Sequence, residues 1–255
     1  MSRLIALYLW DLMLGLRNRF MQVFAIACVM GGSALLAAAP GRETLPLVFI
    51  QALLFFGSLF AFLIGWGSGQ QSRNQGAFLF AQPIGAGELL GGKLLGTGSW
   101  GVLLLALFMG PAAVRAGMLE TMLPLAGLAI GFLLVCMLAG MAIGLAAAPV
   151  SGLLAVLLMW AVSVAGWELG LLVLSDAVWI ERVPWLFVML LLVNPAGAFR
   201  IGAMIGLDAV PFDADELETG RWVFGHIGLV ATGVFALWII VMFVATTWWV
   251  NREEF

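Results

Sequence analysis

The side chains able to do acid–base, nucleophilic or metal chemistry are few in this chain of 255 residues, which holds one histidine, His226, and two cysteines, Cys28 and Cys136. A lone histidine excludes a zinc site of the His-Glu-x-x-His type, and neither a Gly-x-Ser-x-Gly nucleophile elbow nor a Walker A phosphate loop occurs. The cysteines lack metal-type spacing and imply no disulfide framework. Cys136, Met137 and Met141 form a sulfur set of the kind that suits copper(I). Methionine also packs adaptably in apolar helices, and that reading is preferred, so no metal is assigned. Glu168 is the one acid inside an apolar run. An intramembrane ionisable group is a functional candidate, but its place beside Trp167 near the end of its run equally suits an interfacial anchor. No catalytic residue and no cofactor is expected, and the chain does not read as an enzyme.

The elements that hold these residues are set by composition. Hydrophobic residues make up 64% of the chain and charged ones 10%, with a mean hydropathy of +1.12. A soluble domain carries about 25% charged residues, so this apolar surface has to meet lipid. Runs of the length needed to cross a bilayer as helix, about 20 residues, recur without the alternation of a barrel strand. The expected architecture is all-α and integral to the membrane, one domain over 1–255 with about six spans: 20–39, 46–68, 94–114, 122–147, 152–174 and 223–250. Residues 1–19 read as an amphipathic interfacial helix with Arg3, Asp11 and Asn18 on one face. Met21 to Ala39 is not read as a signal peptide, because the residues before it are too many and too apolar for an n-region. Glycines at four-residue spacing (127 with 131, 140 with 144, 166 with 170, 202 with 206) allow close helix approach, read first as packing within the chain and otherwise as dimerisation.

Orientation follows Lys and Arg near the span ends. Arg3, Arg17, Arg19, Arg73, Lys93 and Arg252 fall on one side, and Arg42, Arg115, Arg182, Arg200 and Arg221 on the other. Three of the second set share one long loop, where the rule counts for less, so both termini are expected in the cytoplasm. The net charge of −3, with no basic patch, gives no reason to expect nucleic acid. The spans carry almost no charge, whereas ion-coupled pumps depend on intramembrane charges. Any work done by this chain is therefore expected to draw on a partner.

Two connections are more than turns. Residues 69–93 begin polar (Gln70, Gln71, Ser72, Arg73, Asn74, Gln75), continue through Ala77, Phe78, Leu79 and Phe80, and break at Pro83 after Gln82. That pattern predicts a short cytoplasmic helix, a break and a new helix leading into the third span, the short helix able to dock in a partner's groove or to lie on lipid. Residues 175–222 contain an apolar stretch, 183–193, too short to cross, then Asn194-Pro195 and a second short stretch from Phe199. A pair of re-entrant helices in the outer leaflet is expected there, buried by protein.

Together these features resemble an ABC-2 type permease. The stretch Gly76-Ala-Phe-Leu-Phe-Ala-Gln-Pro-Ile-Gly-Ala-Gly-Glu-Leu-Leu-Gly-Gly-Lys93 is similar to that family's loop. Leu190-Leu-Leu-Val-Asn-Pro-Ala-Gly-Ala-Phe-Arg200 resembles the Asn-Pro-x-Asp-x-Tyr/Phe-Arg segment of NosY-type permeases, the membrane subunits of the nitrous oxide reductase maturation system, with Gly197 in place of the acid. The resemblance implies a homodimer in a bacterial inner membrane with two separate ABC ATPase subunits. It implies coupling to them through Arg73, Gln75, Phe78, Leu79, Phe80 and Gln82. It further implies an outer face built on Asn194, Pro195, Phe199 and Arg200 that meets a periplasmic partner during copper-site maturation. A generic exporter of a lipid, drug or polysaccharide-like substrate, and a force-transmitting scaffold that moves no solute, remain open beside it.

Overall fold

The structure, a computed structural model, describes residues 3–75, 85–167, 169–170, 173, 184–206 and 225–252. Among these residues the chain is helical and contains no strand. In chain order the helices are α1 (Arg3–Gly15), α2 (Arg19–Ala38), α3 (Thr44–Asn74), α4 (Ala86–Ala116), α5 (Leu119–Ala146), α6 (Pro149–Gly166), α7 (Pro184–Val193), α8 (Pro195–Gly206) and α9 (Ile227–Arg252). Six of them, α2 to α6 and α9, are long and apolar enough to cross a membrane. The chain is a multi-pass membrane protein.

Local sequence explains the helix boundaries. Asn18 caps α2, its Oδ1 accepting from the Phe20 N–H at 2.9 Å. α4 ends in a left-handed residue, Gly117 (φ 65°). Its N–H donates to Val114 O, and Met118 N–H donates to Ala113 O, which satisfies carbonyls that would otherwise be orphaned. α5 and α6 are separated only by 147–148, with Pro149 in the first turn of α6, where its missing N–H costs nothing. α4 begins at Ala86, well before the expected start at 94, and α3 runs through Asn74. Arg73 and Asn74 therefore finish a span instead of opening a separate helix. Phe78, Leu79, Phe80 and Gln82 lie outside the described residues.

The centre of the bundle is the α3–α5 pair, which run parallel. Their contact is made by glycines in reciprocal fashion. A Cβ added at Gly65 would sit 2.0 Å from Met137 O, and one at Gly140 would sit 2.1 Å from Phe62 O. At Gly69 and Gly144 the corresponding distances, to Met141 O and Trp66 O, are both 2.4 Å. No side chain fits there, so the two backbones touch. The 140/144 spacing is thus spent on packing within the chain. Gly131 receives the Phe235 ring of α9, and Gly202 faces Ala231. Around this pair, Phe132 stacks on Phe199 at 5.0 Å between ring centroids, and both rings are buried.

Val250, near the end of α9, packs with Ala86, Leu90, Met141 and Leu145, and Leu7 of α1 lies on Gly92. Both described ends of the chain therefore sit at the end of the bundle that carries the 75–85 connection, here called the proximal end. At the distal end, the Arg42 Nε–H donates to Ala116 O at 3.0 Å and Arg115 bonds Leu36 O.

Candidate functional site

Among the described residues, most of the polar side chains that the bundle buries gather in two constellations. The first is proximal. Lys93 Nζ lies 3.0 Å from Asp11 Oδ1, with both side chains almost fully buried, and 3.5 Å from Ser68 Oγ. The geometry follows from α1 packing parallel to the first half of α4 through small residues. A Cβ at Gly92 would meet Leu7 at 2.7 Å, and one at Gly96 would meet Asp11 at 2.9 Å. The Trp100 indole N–H donates to Leu12 O at 2.8 Å and fastens the other end of α1. Burial pushes the Asp11 carboxyl above its ordinary range of 3.8, and the Lys93 charge and hydrogen bond pull it partly back. Asp11 Oδ2 is buried with no hydrogen-bond partner.

This arrangement inverts the expected amphipathic helix. Asp11 faces inward at 3% exposure, while Leu9, Trp10, Met13 and Leu16 face outward. The polar side chain turns toward Lys93, a buried cation that can neutralise it, and the apolar side chains are left for lipid. Lys93, counted from sequence among the orienting cations, is a paired core residue and loses that significance.

Beside this pair, Gln70 finishes α5. Its Nε2 donates to Gly144 O at 2.9 Å and to Ala147 O at 2.7 Å, so the side chain of one span caps the C-terminus of another. Ser72 Oγ donates to Ser68 O within α3. Arg73 is exposed in the last turn of α3, and Gln75 is half-buried and closes it, its N–H donating to Gln71 O and Ser72 O. The predicted coupling residues that are described therefore hang directly from this polar cluster.

The second constellation is the elbow between α7 and α8, the re-entrant pair of the sequence reading. Asn194 is buried. Its Nδ2 donates to Ser163 O at 2.6 Å, and its Oδ1 accepts from the Ala196 N–H at 3.2 Å. Ser163 lies in a π-helical turn, Val162–Gly166, in which the Trp167 N–H reaches back to Val162 O. Such a turn disturbs the ordinary carbonyl ladder, and Asn194 takes up one of its carbonyls. Two indoles brace the elbow from neighbouring helices, Trp238 to Val193 O at 2.8 Å and Trp167 to Leu190 O at 3.0 Å. Trp238 stands near the middle of α9, so the elbow lies about halfway along the bundle. Gly197 has a steric reason, since a Cβ there would sit 2.2 Å from Leu191 O. The acid found at this position in the resembling pattern would not fit this hairpin. Pro195 opens α8, Phe199 is the buried ring stacked on Phe132, and Arg200 is half-buried.

A second π-helical turn, Leu53–Gly57, interrupts α3. Ser58 bonds Leu54 O there, and its Oγ accepts from the Trp160 indole N–H at 3.0 Å. α3 and α6, the two helices with such turns, are thereby tied together.

Cys136 lines a cavity of about 240 Å³ beneath the elbow, while Met141 packs with Leu90 and Val250. Among the described residues no three His, Cys, Asp or Glu side chains gather for a metal. Glu168 lies outside the described residues. Neither the protein-family models nor the curated proteins match this chain.

The sequence reading missed the Asp11–Lys93 pair and the capping role of Gln70. The available signal was one charge of each sign inside an apolar segment, with Gly92 and Gly96 spaced to let a second helix approach.

Proposed function

We propose that this chain is the membrane-spanning permease subunit of an ATP-binding cassette complex in a bacterial inner membrane. It pairs with a second copy and is driven by separate ATPase subunits. One observation carries the reading. The connection over 75–85 joins two long helices that are both locked at that end by buried polar contacts, Gln70 onto α5 and Lys93 onto α1. A partner pressing there moves α1, α3, α4 and α5 together instead of bending a loop. Arg73, Gln75, Phe78, Leu79, Phe80 and Gln82 form the surface that seats in the ATPase groove, with the proximal end in the cytoplasm. The α7–α8 hairpin, reached through the α3–α5 glycine contact, is the element that the stroke displaces.

A specific observation favours the force-transmitting form of this reading over export of a polar solute. The hollow between α2 and α3 and the cavity under the elbow, about 350 and 240 Å³, are lined almost wholly by apolar side chains. In this form the buried Asn194 and Phe199 anchor the α7–α8 hairpin inside the bundle, with Pro195 and Arg200 beside them, and the hairpin passes the stroke on to a periplasmic partner, as the resemblance to maturation permeases implies. The test is affinity purification of the tagged chain from its native membrane. An ATP-hydrolysing subunit is expected in the wild-type complex and absent from the Phe78→Asp/Phe80→Asp complex. Wild-type complexes free of any ATPase would remove the proposal.

A further inference from the structure

Two arginines at the distal end of the bundle have hydrogen-bonding capacity to spare. The Arg42 Nε–H donates to Ala116 O and the Arg115 guanidinium to Leu36 O, which uses one N–H of the five that each carries. Both residues are exposed, and among the described residues neither makes an ion pair or a further hydrogen bond. Glu43 and Glu120, the acids described at that end, pair with neither of them. Two guanidinium groups fixed in this way suit a phosphate, which they can hold by charge-assisted bonds.

Beneath them runs the apolar hollow of about 350 Å³ between α2 and α3. Small side chains open it, Ala27, Gly31 and Ala34 on α2 and Ala52 and Gly57 on α3. It follows α2 from Phe24 to Leu35 and α3, in the opposite direction, from Val48 to Phe60. Along either helix that is about 17 Å, close to the hydrocarbon depth of one leaflet, about 15 Å. The Phe24 and Phe60 rings, stacked at 5.0 Å between centroids, close its proximal end. Its distal end reaches the arginines, because Leu35 adjoins Leu36, the acceptor for Arg115, and Val48 lies in the second turn of the helix that Arg42 precedes. Ala34, Val48 and Phe56 line it and are exposed, so it opens sideways to lipid.

We infer that this site holds one anionic phospholipid of the distal leaflet, its phosphate on Arg42 and Arg115 and one acyl chain in the hollow between α2 and α3. Lipid that merely coats a span touches a single convex surface. A chain in this hollow is walled by α2 and α3 and floored by Leu105 and Phe108 of α4, and the phosphate ties down its other end. A second copy of the chain matches the site poorly. Related by a two-fold axis along the bundle, it would bring its own Arg42 and Arg115 to the same level, and like charges would face each other. The lipid site needs neither a second copy nor an ATPase, so it stands or falls apart from the permease proposed above.

The test is native mass spectrometry of the full-length protein, released from detergent and titrated with dioleoyl-phosphatidylglycerol. One tightly bound lipid per chain is expected, with dioleoyl-phosphatidylcholine held more weakly and glycerol phosphate, the headgroup alone, not held. Arg42→Gln/Arg115→Gln is expected to weaken retention by about 10- to 100-fold, the range for a hydrogen bond to a charged group. That variant also loses two bonds to backbone carbonyls, so a second one leaves the arginines in place. Ala34→Phe fills the hollow and is expected to weaken retention by about 10-fold. Val29→Phe, exposed on α2 outside the hollow, should bind as the wild type does. Three results would overturn the site. The first is unchanged retention in either the arginine variant or Ala34→Phe. The second is glycerol phosphate bound as tightly as the lipid, which would mark a free-phosphate site. The third is a photoreactive diazirine analogue of leucine, placed at Val48, that cross-links in the native membrane to a second copy of the chain and not to lipid.

Discussion

Removing one partner of the Asp11–Lys93 pair is the perturbation whose size follows most directly from the geometry. The charges are 3.0 Å apart, and their side chains are 7% and 4% exposed, lysine first. At an effective dielectric constant of about 20 their attraction is about 5–6 kcal/mol. Desolvation of each ion costs several kcal/mol, so the intact pair is close to neutral in net stability. Lys93→Met leaves an unpaired buried carboxyl, and Asp11→Leu leaves an unpaired buried ammonium. Each is expected to cost about 3–5 kcal/mol, and the double variant to recover most of the loss. The single losses differ in their pH dependence. The Asp11 carboxyl is already raised by burial, and Lys93 supplies both opposing effects, so Lys93→Met raises it further. A carboxyl raised on folding binds its proton more tightly in the folded state. Its stabilising contribution is complete below the ordinary 3.8 and is lost as pH climbs through the raised value. The Lys93→Met deficit should therefore shrink as pH falls toward 4, whereas that of Asp11→Leu should not. Reversible unfolding in mixed detergent micelles, run as a double-mutant cycle at two pH values, reads all of this. Additive single losses, or a Lys93→Met chain as stable as wild type at neutral pH, would refute the buried pair.

Three further outcomes follow from the packing and the hydrogen bonds. Gly140→Ala places a Cβ where Phe62 O stands and is expected to cost about 1–3 kcal/mol by overpacking. Gly127→Ala, with nothing within 4 Å of the added atom, should leave thermal stability unchanged in the same melt. Gln70→Leu strands the Gly144 and Ala147 carbonyls, an expected loss of about 1–3 kcal/mol, with faster amide exchange in the last turn of α5. Asn194→Ala frees Ser163 O and removes the side-chain bond to Ala196 N–H. A loss of about 1–2 kcal/mol is expected, with exchange rising over 195–200 but not in the glycine-packed half of α5.

The spans were legible because lipid demands an unmistakable pattern. A helix that must be apolar all round for about 20 residues announces itself, and all six observed spans overlap the expected ones. The Asn194-Pro195 break was legible for a similar reason, since an asparagine and a proline within an apolar run cannot continue a helix cheaply. Pairing across the chain was not legible. Nothing local marks Asp11 as the partner of Lys93, 82 residues away; the sequence offered only a charge on a helix face, and water was the default partner for it. The same default assigned Gln70 to a loop, although it lies inside α3 and caps α5. Glycine spacing showed that close contacts exist without showing their partners, because Gly140 finds Phe62 and Gly131 finds Phe235 only once the bundle is assembled.

The central claim is that this chain carries the stroke of a separate motor from the 75–85 connection to the α7–α8 hairpin. Spin labels at Ile205→Cys in the two copies of the purified complex, measured by pulsed dipolar spectroscopy with and without ATP, test it directly. The expected result is an inter-copy distance that changes on ATP binding in the otherwise wild-type complex and stays fixed in the Phe78→Asp/Phe80→Asp background. An unchanged distance in a complex that holds its ATPase and hydrolyses ATP would contradict the account.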